Sequence, residues 1–163
     1  MIDQEIHKVL KTIYPILTTS PFPWAITGSL GFALQGMDTE VHDVDIQTDR
    51  PGAYEIERRL SAYSIRPVAF SGTERIRSHF GALEIRGVRV EIMGDIQKRM
   101  PDGRWEEPVD VTRFLRWTIW DGMRIPVLSL EYEYRAYLIM GRIEKAETLR
   151  KWMETSAGKN PAE

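Results

Sequence analysis

The sequence predicts an α/β domain, on three observations. Apolar residues recur at helical spacing near both ends of the chain, short alternating apolar and polar runs fill the middle, and Gly, Pro and Asp punctuate the two kinds of segment. At 163 residues the chain is long enough to bury about 70% of the surface its unfolded form exposes. One domain over residues 1–155 is therefore expected, with 156–163 as a disordered tail.

Ile2, Ile6, Val9, Leu10, Ile13, Ile16 and Leu17 share one helical face and Asp3 stands where a cap belongs, which predicts a helix over 3–18 ended by Ser20-Pro21-Phe22-Pro23. Trp24 to Thr27 reads as a short buried strand, Gly28-Ser29 as a turn, and Leu30 to Gln35 as a short helix closed by Gly36. Val41 to Thr48 sets Val44 and Ile46 against Asp43, Asp45 and Gln47, a strand with one apolar and one polar face. Asp49-Arg50-Pro51-Gly52 places Pro for a helix start, and Tyr54 to Tyr63 supplies that helix with Ile56 and Leu60 inward. A strand over Ile65 to Phe70 precedes a hairpin of Ile76 to Arg86 and Val88 to Met93 that turns at Arg86-Gly87.

The polar stretch Met100 to Trp105 reads as a loop. Phe114 to Trp120 and Met123 to Leu128 form a second hairpin around Asp121-Gly122, expected as a separate β flap. Ser129 caps a helix from Leu130 to about Met140 with Glu131 and Glu133 in its first turn. A last helix, from about Arg142 to Met153, turns Ile143, Ala146, Leu149 and Trp152 or Met153 inward.

Composition removes several functional classes. Cysteine is absent, which excludes disulfides, thiolate metal sites and Cys nucleophiles. A net charge of −2 gives no support to a mainly electrostatic nucleic-acid binder, so no extended nucleic-acid partner is expected. Residues 1–7 carry acids where a signal peptide carries Lys or Arg, and no apolar run approaches the ~20 residues of a membrane span. The expected location is the cytoplasm, with no membrane partner. Neither a Gly-Lys-Ser/Thr P-loop nor a Ser-His-Asp constellation is present.

The chemistry concentrates in two short motifs, Ile26-Thr27-Gly28-Ser29 and, after residues 30 to 42, Asp43-Val44-Asp45-Ile46. A Gly-Ser turn at the end of an apolar strand presents backbone N–H groups and a hydroxyl to a phosphate. Acids two positions apart on a strand point to one side and repel, so a fold that keeps both gives them a cation, an Arg or open water. With a third carboxylate from a neighbouring strand they make an oxygen-rich site for Mg²⁺. Glu91 is the candidate, because Val90 and Ile92 face the other way; Asp95 is the alternative. Taken singly, each motif is more often a bare turn or a solvated strand face.

His42 is more often an exposed strand-edge residue than a substrate contact. Arg75, Arg77, His79, Arg86 and Arg89 are a solvated face unless they border the acids, where they would steer a polyphosphate. Trp105, Trp117, Trp120 and Phe114 read first as packing and second as an aromatic wall for a base or sugar.

In order and spacing the two motifs resemble the nucleotidyltransferase superfamily related to DNA polymerase beta, whose pattern is apolar-Gly-Ser, a short gap, then Asp-apolar-Asp-apolar. Ile125 to Tyr132, followed by Tyr137 and Gly141-Arg142-Ile143-Glu144-Lys145-Ala146, is similar to small stand-alone bacterial members related to the lincosamide and aminoglycoside nucleotidyltransferases. The resemblance spans about residues 20 to 150. It implies the nucleotidyltransferase fold: a mixed sheet bearing the acids, helices packed on one side, and a C-terminal hairpin and helices beside the cleft.

It also implies transfer of a nucleoside monophosphate from an NTP to an acceptor hydroxyl with release of pyrophosphate. Asp43, Asp45 and Glu91 would be the catalytic residues and would hold two Mg²⁺ ions, for which Mn²⁺ can substitute. Gly28, Ser29, Arg142 and Lys145 would contact the NTP. Whether the acceptor is a small molecule, a protein or an RNA end stays open, as does the oligomeric state. Tyr137 stands where many relatives carry Lys, which motivates an alternative: a nucleotide-binding or antitoxin-like interaction module of the same fold that has lost turnover. A purely structural α/β domain, in which the acids do not converge, is the third reading.

Overall fold

The computed structural model describes residues 2–157. In chain order its elements are α1 (Gln4–Thr18), β1 (Trp24–Thr27), α2 (Gly28–Leu34), β2 (Val44–Thr48), α3 (Arg50–Arg59), β3 (Ser64–Gly72), β4 (Ile76–Ile85), β5 (Val88–Lys98), β6 (Leu115–Trp120), β7 (Met123–Leu128), α4 (Leu130–Ile139) and α5 (Ile143–Ala157). The strands form one seven-stranded sheet in the order β3-β4-β5-β2-β1-β7-β6. It is mixed, as expected: β2 with β5 and β1 with β7 run parallel, and the other neighbours antiparallel.

Strand alternation gives the sheet two chemically different faces. On one, Ile26, Val44, Ile46, Val90, Ile92, Ile125 and Val127 are buried under α1 and α3, which contribute Ile6, Val9, Leu10, Ile13, Leu17, Ala53 and Ile56. Asp3 caps α1 by accepting from the Ile6 N–H at 2.9 Å. Asp49 caps α3 the same way, accepting from the Gly52 N–H at 2.7 Å. The other face carries Thr27, Asp45, Gln47 and Glu91. α4 and α5 stand beside it, joined to α2 through Phe32, Leu130, Tyr137, Ala146 and Leu149.

Several expected boundaries move. α2 begins at Gly28, so Gly28 and Ser29 are its first residues and not a separate turn. β2 begins at Val44, which leaves Asp43 just ahead of the strand. α3 starts at Arg50, earlier than the pattern indicated, and ends at Arg59, followed by one 3-10 turn at Ser61–Tyr63. β5 continues past Met93 to Lys98 because Gly94 is a close-approach point and not a break: a Cβ there would stand 2.6 Å from the Asp49 carbonyl oxygen. The pairing with β4 slips one residue beside it, between Arg77 and His79, and Asp95 takes a φ of +49°.

The second hairpin is not a separate flap. Ile26 of β1 pairs with Val127 of β7, and Ile125, Val127 and Leu128 are buried, so the hairpin completes the main sheet. The continuous apolar run from Ile125 to Leu128 is the signature of a strand covered on both faces. Ile143, expected inward, is 58% exposed because it opens α5 before the helix reaches the core. α5 runs to Ala157, so residues 156 and 157, expected in the tail, are helical; the expectation of disorder for 158–163 lies outside the described residues. Among the described residues no helix is long and apolar enough to cross a membrane.

Candidate active site

Register brings the acids together. Thr27 on β1, Asp45 on β2 and Glu91 on β5 stand opposite one another across three adjacent strands, and so share one face. Asp45 lies directly against the start of α2: a Cβ on Gly28 would stand 2.6 Å from Asp45 Oδ2. Gly28 also has φ +71°, so both its backbone and its space require glycine.

Burial pushes the Asp45 carboxyl up to about 7, and the nearby Glu91, Asp43 and Glu133 charges push the same way, with Lys145 opposing. Glu91 is held by Arg89, whose Nε donates to Oε1 at 2.9 Å. Asp95 is directed elsewhere: its bulge position puts it in a different recess with Pro23, Asp49 and Asp110. Of the two alternatives, Glu91 is the acid beside Asp45.

Two cavities meet at this point. One, of about 440 Å³, includes Ser29, Phe32, His42, Asp43, Lys145 and Leu149 in its lining. The other, of about 400 Å³, includes Gln47, Arg75, Glu91, Met93, Lys98 and Glu133. Gly28, Asp45, Tyr137 and Arg142 line both and form the ridge between them. Arg142 and Lys145 stand over the Tyr137 ring, at 5.4 Å and 5.8 Å from its centroid. Neither pairs with a carboxylate among the described residues. The Lys145 pKa is lowered by burial and by Arg142, while Asp45 pulls it back.

The aminoglycoside-2''-adenylyltransferase family pattern matches residues 9–153. The chain belongs to that family. A Thermotoga maritima protein, provisionally described as a nucleotidyltransferase and solved at 1.87 Å, is 59% identical. That likeness covers 95% of this chain and 96% of the Thermotoga protein, with a TM-score of 0.84. More distant are the lincosamide antibiotic adenylyltransferase LnuA with lincomycin bound (16% identity, 80% of this chain and 82% of that one, TM-score 0.49) and ANT(2'')-Ia in complex with adenylyl-2''-tobramycin (15% identity, 93% and 96%, TM-score 0.48). No curated protein matches the chain. The family is one of nucleotide-transferring enzymes, so the expected superfamily, fold and enzymatic class all stand.

Sequence reading missed three residues that line the second cavity. Glu133 appeared only as a first-turn acid of α4. It is buried, accepts from the Thr27 hydroxyl and, at 3.4 Å, from the Gly28 N–H, and burial pushes its pKa up to about 7. Its spacing from Leu130, Ala136 and Tyr137 on the apolar face of α4 was the available signal. Gln47, placed by the sequence on the polar face of its strand, is 6% exposed, and its Oε1 has no hydrogen-bond partner among the described residues. Lys98 is 3% exposed, bonded to Tyr132 Oη at 3.0 Å and to Glu106 Oε2 at 2.7 Å.

Of the other weighed residues, Arg89 pairs with Glu91, Arg75 lines the second cavity and His42 the first, so these three border the acids. His42 is exposed at the mouth of the first cavity, 3.3 Å from Glu40. His79 packs on Tyr54 and Phe70, and Arg86 pairs with Glu5 of α1. Trp105, Trp117 and Trp120 line neither cavity; Trp120 packs on His7 and Trp117 under Arg124. They form no aromatic wall at the site.

The donor chemistry fits a hard divalent cation. Asp43, Asp45, Glu91 and Glu133 come close together here, and burial together with their mutual repulsion raises the Asp45 carboxyl, a charge imbalance that such an ion relieves. Among the described residues no three acids are arranged around one point, and Glu91 is paired with Arg89. Asp43, Asp45 and Glu91 would hold the ion once Glu91 leaves that partner.

Proposed function

We propose that this protein is a divalent-metal-dependent nucleotidyltransferase that moves a nucleoside monophosphate from an NTP to the hydroxyl of an acceptor and releases pyrophosphate. One observation carries the reading: Asp45 lies against Gly28 on the ridge between two cavities, with Ser29 and Lys145 on one side and Glu91 on the other. The first cavity takes the nucleotide. Gly28 and the Ser29 hydroxyl meet its phosphates, and Arg142 and Lys145 bring positive charge to them. ATP is the natural donor for a family named for adenylyl transfer.

The second cavity takes the acceptor, and its volume suits a small molecule. The acceptor oxygen attacks the α-phosphorus at the ridge, the bond to the β-phosphate oxygen breaks, and pyrophosphate leaves toward Arg142 and Lys145. Glu91, released from Arg89, accepts the hydroxyl proton. Mg²⁺ or Mn²⁺ held by Asp43, Asp45 and Glu91 would lower the charge on the triphosphate and polarise the attacking hydroxyl. Tyr137 does not strip the site of positive charge, since its face carries Arg142 and Lys145; this removes the main motive for a module that has lost turnover.

Titration calorimetry with Mg-ATP, paired with a pyrophosphate-release assay over candidate acceptors, tests the reading. The wild type is expected to bind and the Asp43→Asn/Asp45→Asn variant to lose affinity by about a hundredfold or more. Equal affinity in both proteins, or none in either, overturns it.

A further inference from the structure

The acceptor cavity does not end at Met93. Thr73, Ile76, Met93 and Ile96 also line a third cavity of about 290 Å³, so the two make one groove over β4 and β5. Its far end is bounded by Arg66, Arg77, Ser71 and Ser78, and no acid among the described residues lines it. Neither arginine pairs with a carboxylate among the described residues. Arg77 donates to Gln97 Oε1 at 3.0 Å and lies 4.2 Å from the Trp105 ring centroid; Arg66 lies 4.8 Å from the Phe80 centroid, with Nη2 3.5 Å from Ser71 Oγ. Stacking fixes a guanidinium plane while leaving N–H donors for a planar or tetrahedral anion.

A second observation points to a ligand in the same groove. Gln47 Oε1 is buried without a hydrogen-bond partner among the described residues, and Gln47 lines the acceptor cavity beside Met93, its pairing neighbour on β5. A buried acceptor group of this kind asks for a donor on whatever binds there. From Glu91 to Gln97, the residue opposite Arg77, β5 spans at most about 20 Å.

We propose that the acceptor is an elongated hydroxyl compound with an anionic group, carboxylate or phosphate, that seats between Arg66 and Arg77. Its hydroxyl lies at Glu91, a donor on it meets Gln47, and its apolar body crosses Ile76, Met93 and Ile96. The proposal rests on the second cavity being the acceptor site. A cationic group at that far end is disfavoured by the same two guanidinium groups.

Saturation-transfer NMR on the full chain tests it with three probes: 4-hydroxyphenylacetate, glycerol 3-phosphate, and tyramine, which shares the ring and hydroxyl of the first but ends in an ammonium. Each is titrated with and without Mg²⁺ and a non-hydrolysable ATP analogue, so the charge preference is read whatever the nucleotide does. The two anions are expected to bind about tenfold or more tighter than tyramine. Arg66→Glu and Arg77→Glu should each erase that preference with nucleotide affinity unchanged; Arg66 is exposed, so its variant carries the test if Arg77→Glu does not fold. Tyramine binding as well as the anions, no anion binding, or anion binding indifferent to Arg66→Glu overturns the proposal. Absent nucleotide binding strikes the nucleotidyltransferase reading instead.

Discussion

Gly28 carries more of the site than its size indicates, because it is the point where α2 and Asp45 touch. Ala at this position meets both a φ of +71° and the Asp45 carboxylate. Gly28→Ala is expected to cost about 1–2 kcal/mol of stability and, by displacing Asp45, about a hundredfold in turnover. Thermal melts and pyrophosphate release measure the two effects, and unchanged turnover would remove Asp45 from the chemistry. At this scale the motif residues Gly28, Ser29, Asp43 and Asp45 were legible because their order and spacing are local. Glu91 was legible from the alternation of its own strand. Glu133 and Gln47 were not, since what makes them unusual is set by elements far away in the chain: α4 brings Glu133 to Thr27, and Gln47 shares its cavity with Met93 of β5 and Tyr132 of α4.

Among the elements, α4 positions the most. It delivers Glu133 to Gly28 and Tyr137 to the ridge, and its start is fixed by Ser129, 5% exposed, whose Oγ accepts from the Tyr132 N–H at 3.2 Å. Ser129→Ala is expected to lower stability by about 1 kcal/mol and to weaken Mg-ATP binding, because the helix it frays carries Tyr137, which lines both cavities. Denaturant unfolding and calorimetry check the pair; loss of stability alone would separate α4 from nucleotide binding. Helices and strands were mostly legible from periodicity, capping residues and the Asp121-Gly122 turn. The parallel pairing of β7 with β1 was not, because the choice of neighbour is made by apolar faces meeting across the sheet and leaves no local mark. Gly94 misled for a related reason: it marks where β5 passes close to α3, which resembles a strand end when only the chain is read.

At the scale of the whole molecule, one sheet runs from the first strand to the last with α1 packed across its back, so we propose that the chain melts in a single cooperative transition. Its pH dependence follows from two raised carboxyls. Asp45 and Glu133 move from 3.8 and 4.5 to about 7, so the folded form holds protons that the unfolded chain has released. Their stabilising contribution is full below about pH 4 and is lost as pH rises through about 7. His79, whose pKa is lowered by burial, works the opposite way near pH 6.5 but is partly exposed. The metal-free melting temperature is expected to fall between pH 5.5 and 8, with a smaller fall in Asp45→Asn. Mg²⁺ should raise it more at pH 8 than at pH 5.5, because cation and proton compete for the same oxygens. A Mg²⁺ effect independent of pH would place the ion elsewhere.

The central claim is that one nucleotide and its cations join Gly28 and Ser29 to Asp43, Asp45 and Glu91. A crystal structure with Mn²⁺ and a non-hydrolysable ATP analogue, read by the anomalous signal of the metal, tests it most directly. Manganese is expected on these carboxylates, with the triphosphate against Ser29, Arg142 and Lys145 and with Glu91 released from Arg89. Manganese or nucleotide bound away from Asp45, or Glu91 still paired with Arg89 beside an occupied site, contradicts it.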